Sequence, residues 1–112
     1  MDSILTSVKK KIGMEENYEH FDSDLIDHIN SVFMILHQLG VGPSEGFAIT
    51  GKDETWNAYI GDDMLKLNGV KSYVYLKAKL VFDPPTSSAL IAAMENSIKE
   101  YEWRLNAAAE TK

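Results

Sequence analysis

The stretch Val70–Pro85, VKSYVYLKAKLVFDPP, decides the fold. Read as a helix at about 100° per residue, Val70–Phe82 has almost no wet side. Val70, Val74, Ala78 and Val81 form one stripe, Tyr73, Leu76 and Leu80 a second, and Tyr75 and Phe82 a third. Only Ser72, Lys79 and Asp83 gather on a polar strip. A helix that is apolar nearly all round needs neighbours on several sides. A chain of 112 residues supplies only some of them, so the missing neighbour is expected to be another copy of the protein or a docking partner. The same letters also admit a strand, because YVYLKAKLVF is rich in β-branched and aromatic residues and Asn68-Gly69 is a hairpin signal. The helix is the better reading. The run is long for a strand, its lysines do not alternate cleanly, and Pro84-Pro85 before Thr86-Ser87-Ser88 ends one helix and starts another.

That next helix repeats at 3-4-3-4 spacing, with Ile91, Met94, Ile98, Tyr101 and Leu105 on one side. Trp103 falls on the far side, among Ala92, Asn96, Lys99 and Glu100. An indole is costly to leave in water, so Trp103 is expected against another helix or another subunit. The tail AAAETK reads as a frayed end or a segment that orders on binding. Upstream, Leu25, Ile26, Ile29, Val32, Phe33, Leu36 and Leu39 form a broad stripe on a helix stopped by Gly40. Asp22-Ser23-Asp24 offers caps for it, Phe21 a staple onto Ile26, and Met34 points away from the stripe. A short first helix carries Ile4, Leu5, Val8 and Ile12 on one side, is capped by Asp2 or Ser3, and ends at Gly13. Lys9, Lys10 and Lys11 occupy its last turn, where they suit the helix dipole. An acidic, aromatic loop, MEENYEHF, follows.

Between the second helix and the decisive one, Val41–Asn68 is punctuated by Gly42-Pro43, Gly46, Gly51 and Gly61. Phe47, Ala48 and Ile49 read as a short strand, with Gly51-Lys52 near the turn of a small hairpin. Thr55 is placed to cap a brief helical turn bearing Trp56, Tyr59 and Ile60 on one side. So long a connection in so small a chain is rarely idle. Its body reads as a lid over the core with Trp56 beneath it, and its tip, Thr50 to Asp53, as a contact for a partner or neighbouring subunit. The expected fold is all-α: about four helices in a small bundle, with a long loop or short β-hairpin between helices 2 and 3, and one domain spanning 1–112.

A hydrophobic fraction of 45% argues for a folded chain, and a net charge of −6 argues against a grip on nucleic acid. Without cysteine there is no disulfide, thiolate metal site or cysteine nucleophile. No apolar run approaches the roughly 20 residues of a membrane span, and MDSILTSVKKK has its charges after its apolar residues, the wrong order for a secretory signal. A reducing cytoplasm is the expected place of synthesis. His28 and His37 lie on nearly opposite flanks of the second helix and His20 in the loop before it, so no metal site is expected. Asp22, Asp24, Asp62 and Asp63 are explained by helix starts, and Glu95, Glu100 and Glu102 by a solvated face. No phosphate-cradling loop or nucleophile motif is present. The chain is expected to have no cofactor and to be no enzyme. Lys77 is the one charge that looks misplaced, among Val70, Tyr73, Val74, Leu80 and Val81. Either its stem packs on the core and its ammonium reaches water, or it pairs with a carboxylate across a subunit boundary.

Four phrases together carry a family resemblance: DSDLIDHINSVFMILHQLGVGP (Asp22–Pro43), ETW (Glu54–Trp56), VKSYVYLKAKLVFDPP (Val70–Pro85) and IKEYEWRLN (Ile98–Asn106). In this order, over nearly the whole chain, they resemble phage head–tail connector proteins of the adaptor type. The resemblance implies a structural virion protein at the head–tail junction. It implies a homo-oligomeric ring of a dozen or so copies beneath the portal protein, joined to a stopper or tail-completion protein. DNA would pass through the central channel without specific binding, and no membrane is involved. It also points to the C-terminal segment from Trp103 and Arg104 for the portal, and to Phe47–Asp53 for neighbours or the lumen. Joined with the residues read above, the candidate contact set is Phe47, Thr50, Lys52, Asp53, Tyr75, Leu76, Lys77, Trp103 and Arg104. The reading from a different class is a small soluble regulatory module that binds protein as a dimer.

Overall fold

The computed structural model describes residues 3–61 and 64–110. Asp2, Asp62, Asp63 and the end of the tail, Thr111 and Lys112, lie outside the described residues, and with them the capping roles expected of the three aspartates. The elements are α1 (Ile4–Lys11), α2 (Asp22–Gln38), α3 (Trp56–Ile60), α4 (Met64–Phe82) and α5 (Ser88–Glu110). The decisive stretch is a helix, and α4 is the axis of the molecule, packing against each of the other four. Val70, Tyr73, Val74 and Ala78 are buried on it, while Tyr75, Leu76, Leu80 and Phe82 are half-buried against the same core. The near-absence of a polar face is thus answered largely within the chain.

Local chemistry explains the boundaries. The Ser3 hydroxyl accepts from the Thr6 amide at 3.2 Å and caps α1, and Gly13, at φ +83°, follows its last turn. At the end of α2 the Val41 amide reaches back to the Leu36 carbonyl at 2.9 Å, and Gly40 takes the left-handed conformation this needs. Thr55 caps α3 as expected, its hydroxyl accepting from the Ala58 amide at 3.2 Å. Trp56 and Tyr59 are buried on that short helix.

The structure corrects four expectations. Among the described residues there are five helices, not about four, because the turn at Trp56–Ile60 is a helix of its own. The hairpin is absent: among the described residues there is no strand, only an isolated antiparallel bridge between Ser3 and Thr55. The physical reason lies in side chains that take the backbone partners a second strand would have taken. Asn30 on α2 donates its Nδ2 to the Ile49 carbonyl at 3.0 Å and accepts the Ile49 amide at 2.7 Å. Third, the connection read as Val41–Asn68 ends earlier, because α4 begins at Met64; Asn68-Gly69, the signal of the rejected strand reading, is interior to α4, with Leu105 3.6 Å from where a Cβ on Gly69 would stand. Fourth, α2 begins without a side-chain cap: Phe21 is the N-cap, and Asp22 is used elsewhere.

Asp22 is used by Lys9. This lysine is only 1% exposed, and its Nζ donates to the carbonyls of Glu16 (3.0 Å) and Tyr18 (2.6 Å). It also lies 2.9 Å from Asp22 Oδ1, a close ion pair off the line of a hydrogen bond. A buried ammonium needs such partners on every side. The result is that the acidic loop after α1 is tied to the start of α2 through one cation.

Candidate subunit interface

The candidate contact residues fall into four separate places. The tip Thr50–Asp53 is exposed apart from Gly51, but it is not loose. The Thr50 amide and hydroxyl donate to Glu54 Oε2 at 3.0 and 2.8 Å, and the Glu54 carbonyl accepts from the Ile4 amide at 3.0 Å. Burial alone would raise the Glu54 carboxyl; the hydrogen bonds from Thr50 and Gly51 outweigh it and hold the group below the usual carboxylate range. Lys52 stands 4.0 Å from Glu19, with both side chains largely in water, and Asp53 is exposed. Phe47 belongs to the core edge, its ring 5.4 Å from Phe33 and 5.1 Å from Tyr59. Trp56 lies beneath the connection, donating its Nε1 proton to Ser7 Oγ at 2.8 Å, so the lid reading holds.

On α4, Lys77 sits with its Nζ 5.5 Å over the ring of Tyr73. It lines a groove of about 480 Å³ between α4 and α5 with His28, Leu80, Val81, Glu95 and Glu102. Burial lowers the pKa of His28; the Lys77 backbone opposes this and the Lys77 ammonium adds to it. The Tyr73 hydroxyl donates to Glu102 at 2.7 Å across the helix pair. Leu76 is half-buried against the core.

Tyr75 faces another way. Its ring is 6.1 Å from Trp56, and Lys11 Nζ lies 5.5 Å above it. Around it opens a groove of about 730 Å³ between α1 and α4, lined by Ser3, Thr6, Ser7, Lys10, Lys11, Glu16, Asn68, Lys71, Ser72 and Tyr75. Three lysines against one carboxylate make this a locally basic face on an acidic protein.

Trp103 is 70% exposed. With about 150–250 Å² of side-chain surface and about 25 cal/mol per Å², covering it would contribute on the order of 3–4 kcal/mol. Beside it Arg104 pairs with Glu100 at 2.8 Å, both in solvent. The core side of α5 is Ile98 and Leu105, buried, with Tyr101 half-buried, as its spacing predicts. Toward its N-terminus that stripe runs out of cover. The contacts Gly69–Leu105 and Tyr73–Glu102 set α4 and α5 antiparallel, so the first turns of α5 stand beside only the end of α4. There Leu90 is 56% and Val81 59% exposed. Of the tail AAAETK, read as a frayed end or a segment that orders on binding, the described part continues α5 to Glu110, and this end of the helix is held against the end of α2. Asn106 donates to the Leu39 carbonyl at 3.2 Å, and a Cβ on Gly40 would lie 2.9 Å from that of Ala109.

The exposure of Trp103 is legible in the sequence, because helical periodicity sets its indole opposite the core stripe. The exposure of Leu90 and Val81 is not, since they lie on or beside apolar stripes and are uncovered because the helix pair outruns the core. Among the described residues no cluster of three or more His, Asp or Glu could hold a metal ion, and no helix is long and apolar enough to cross a membrane. A family model described as phage connector protein matches residues 4–112. No curated protein and no solved structure matches the chain.

Proposed function

This chain belongs to the phage connector protein family, and from that premise we propose that it is a non-enzymatic head–tail adaptor, one connector domain that forms a ring of about a dozen copies below the portal. The ring joins the DNA-filled head to a stopper or tail-completion protein, and the chain's place is the head–tail junction of the virion. The observation that supports this reading is the apolar surface left open by a completed core: Trp103, Val81 and Leu90 on the α4–α5 pair. Exposed aromatic anchors of this kind are what interfaces are built around. The charge of −6 suits a channel wall that DNA must pass without adhering. In this reading the α5 strip at Trp103 and Arg104 and the loop tip at Thr50, Lys52 and Asp53 are contacts to neighbours or to the portal. Phe47, Leu76 and Lys77 support those contacts from behind.

The test is stoichiometry. Native mass spectrometry and negative-stain microscopy of the full chain, alone and with portal protein from the same phage, are expected to give closed rings. A tight two-fold dimer that ignores the portal would sink the adaptor reading and favour a regulatory module.

A further inference from the structure

Resting on the ring reading, we propose how one subunit meets the next: the outer strip of α5, centred on Trp103, docks into the α1–α4 groove of a second copy. Two observations on opposite sides of the molecule lead there. Asn68, Lys71, Ser72 and Tyr75 line the groove, while Gly69, Tyr73, Lys77 and Leu80 meet α5. At about 100° per residue these two sets lie roughly 145° apart around α4. Trp103 in turn lies across the α5 axis from the Ile98, Tyr101 and Leu105 stripe, so it points outward on the side away from the groove.

The two surfaces are also matched in chemistry. Lys11 lies over Tyr75 and Lys71 over Trp56, so the groove is already a site where ammonium groups rest on aromatic faces. An incoming indole offers a further face of the kind that binds such cations best. Glu100 and Glu110 share the Trp103 side of α5 with Lys99, and Glu100 is held by Arg104 at 2.8 Å; in the contact, Lys10, Lys11 and Lys71 would be the further cations these two carboxylates meet. A groove of about 730 Å³ has room for the indole and the helix edge that carries it. Complementary but different surfaces on opposite sides of one subunit give a head-to-tail contact, which propagates around a ring; a two-fold dimer would need one self-complementary patch instead.

The chain has no cysteine, so introduced thiols report without background. Asn96→Cys, on the Trp103 strip, and Ser72→Cys, in the groove, are made as separate full-length variants and assembled with portal protein. Each is treated with a short bis-maleimide alone and after mixing. Cross-linked dimer in the mixture, and none in either variant alone, is the expected result. Asn96→Cys linking to itself, or assemblies that form without the mixed link, would overturn this contact and leave the ring standing. If no assembly forms under any condition, the ring reading fails and this contact with it. Lys10→Glu/Lys11→Glu supplies a second measure: assembly lost with an unchanged circular dichroism spectrum supports the contact, and full assembly refutes it.

Discussion

Residues 41–55 contain no helix or strand, yet Val41 and Ile49 are buried among them and polar side chains fix the path. Residues 88–97 form an unbroken helix, yet most of their side chains stand in water. The comparison separates two properties that are often equated. A stretch belongs to the fold when its backbone groups and apolar side chains find partners inside the subunit, whatever its regularity. The connection meets that condition through Asn30, Glu54 and Trp56, and the acidic loop after α1 meets it through Lys9. The first half of α5 satisfies its backbone by itself and leaves its side chains for something else. Irregular chain here is structural, and regular chain is available.

Four substitutions can break or sharpen that contrast. Trp56→Ala empties a site between α1, α2 and α4 and removes the indole N–H that donates to the Ser7 hydroxyl. We expect a loss of about 3–5 kcal/mol in denaturant unfolding. Lys9→Met keeps the stem but leaves two carbonyls and the mostly covered Asp22 carboxylate without their cation. The expected loss is about 3 kcal/mol, partly recovered in Lys9→Met/Asp22→Asn. Asn30→Ala removes both bonds to Ile49 and should lower stability by about 1–2 kcal/mol. Faster amide exchange near Ile49 should accompany it, and unchanged protection there would mean the connection is held by packing alone. Trp103→Ala, on the uncovered helix, should change subunit stability by no more than about 0.5 kcal/mol while impairing assembly. A loss on the scale of Trp56→Ala would erase the distinction between the two regions.

What could be read from the sequence follows the range of the interactions. Thr55 as a cap, the glycine stops at Gly13 and Gly40, the stripe on α5 and the outward Trp103 are all encoded within a few residues, where periodicity and capping chemistry act. The all-helical class was legible for the same reason. Lys9 was not, because its partners come from a loop and the start of α2, seven to thirteen residues on, and a lysine in the last turn of a helix looks solvated. Lys77 drew attention instead, on the strength of its neighbours in a single helix. The hairpin expected at Phe47–Lys52 has strand-like letters, and only the distant Asn30 reveals that its hydrogen bonds are already taken. The extra turns of α4 before Val70 run through Asn-Gly, a local turn signal overridden by packing against Leu105. Of the candidate contacts, Trp103 was predicted by pattern, whereas the basic groove beside Tyr75 joins Lys10 and Lys11 to Lys71, sixty residues further along, and no local pattern connects them.

The enclosed ammonium of Lys9 gives the molecule a built-in gauge. Lys10 and Lys11, its immediate neighbours, are open to amine-acylating reagents, while Lys9 can be reached only when the loop that encloses it lets go. Mass-spectrometric footprinting of one short peptide therefore carries its own reference, two sites that always react beside one that records opening. Followed in the free subunit, where Lys10 and Lys11 are exposed, that ratio would report how readily the amino-terminal half opens.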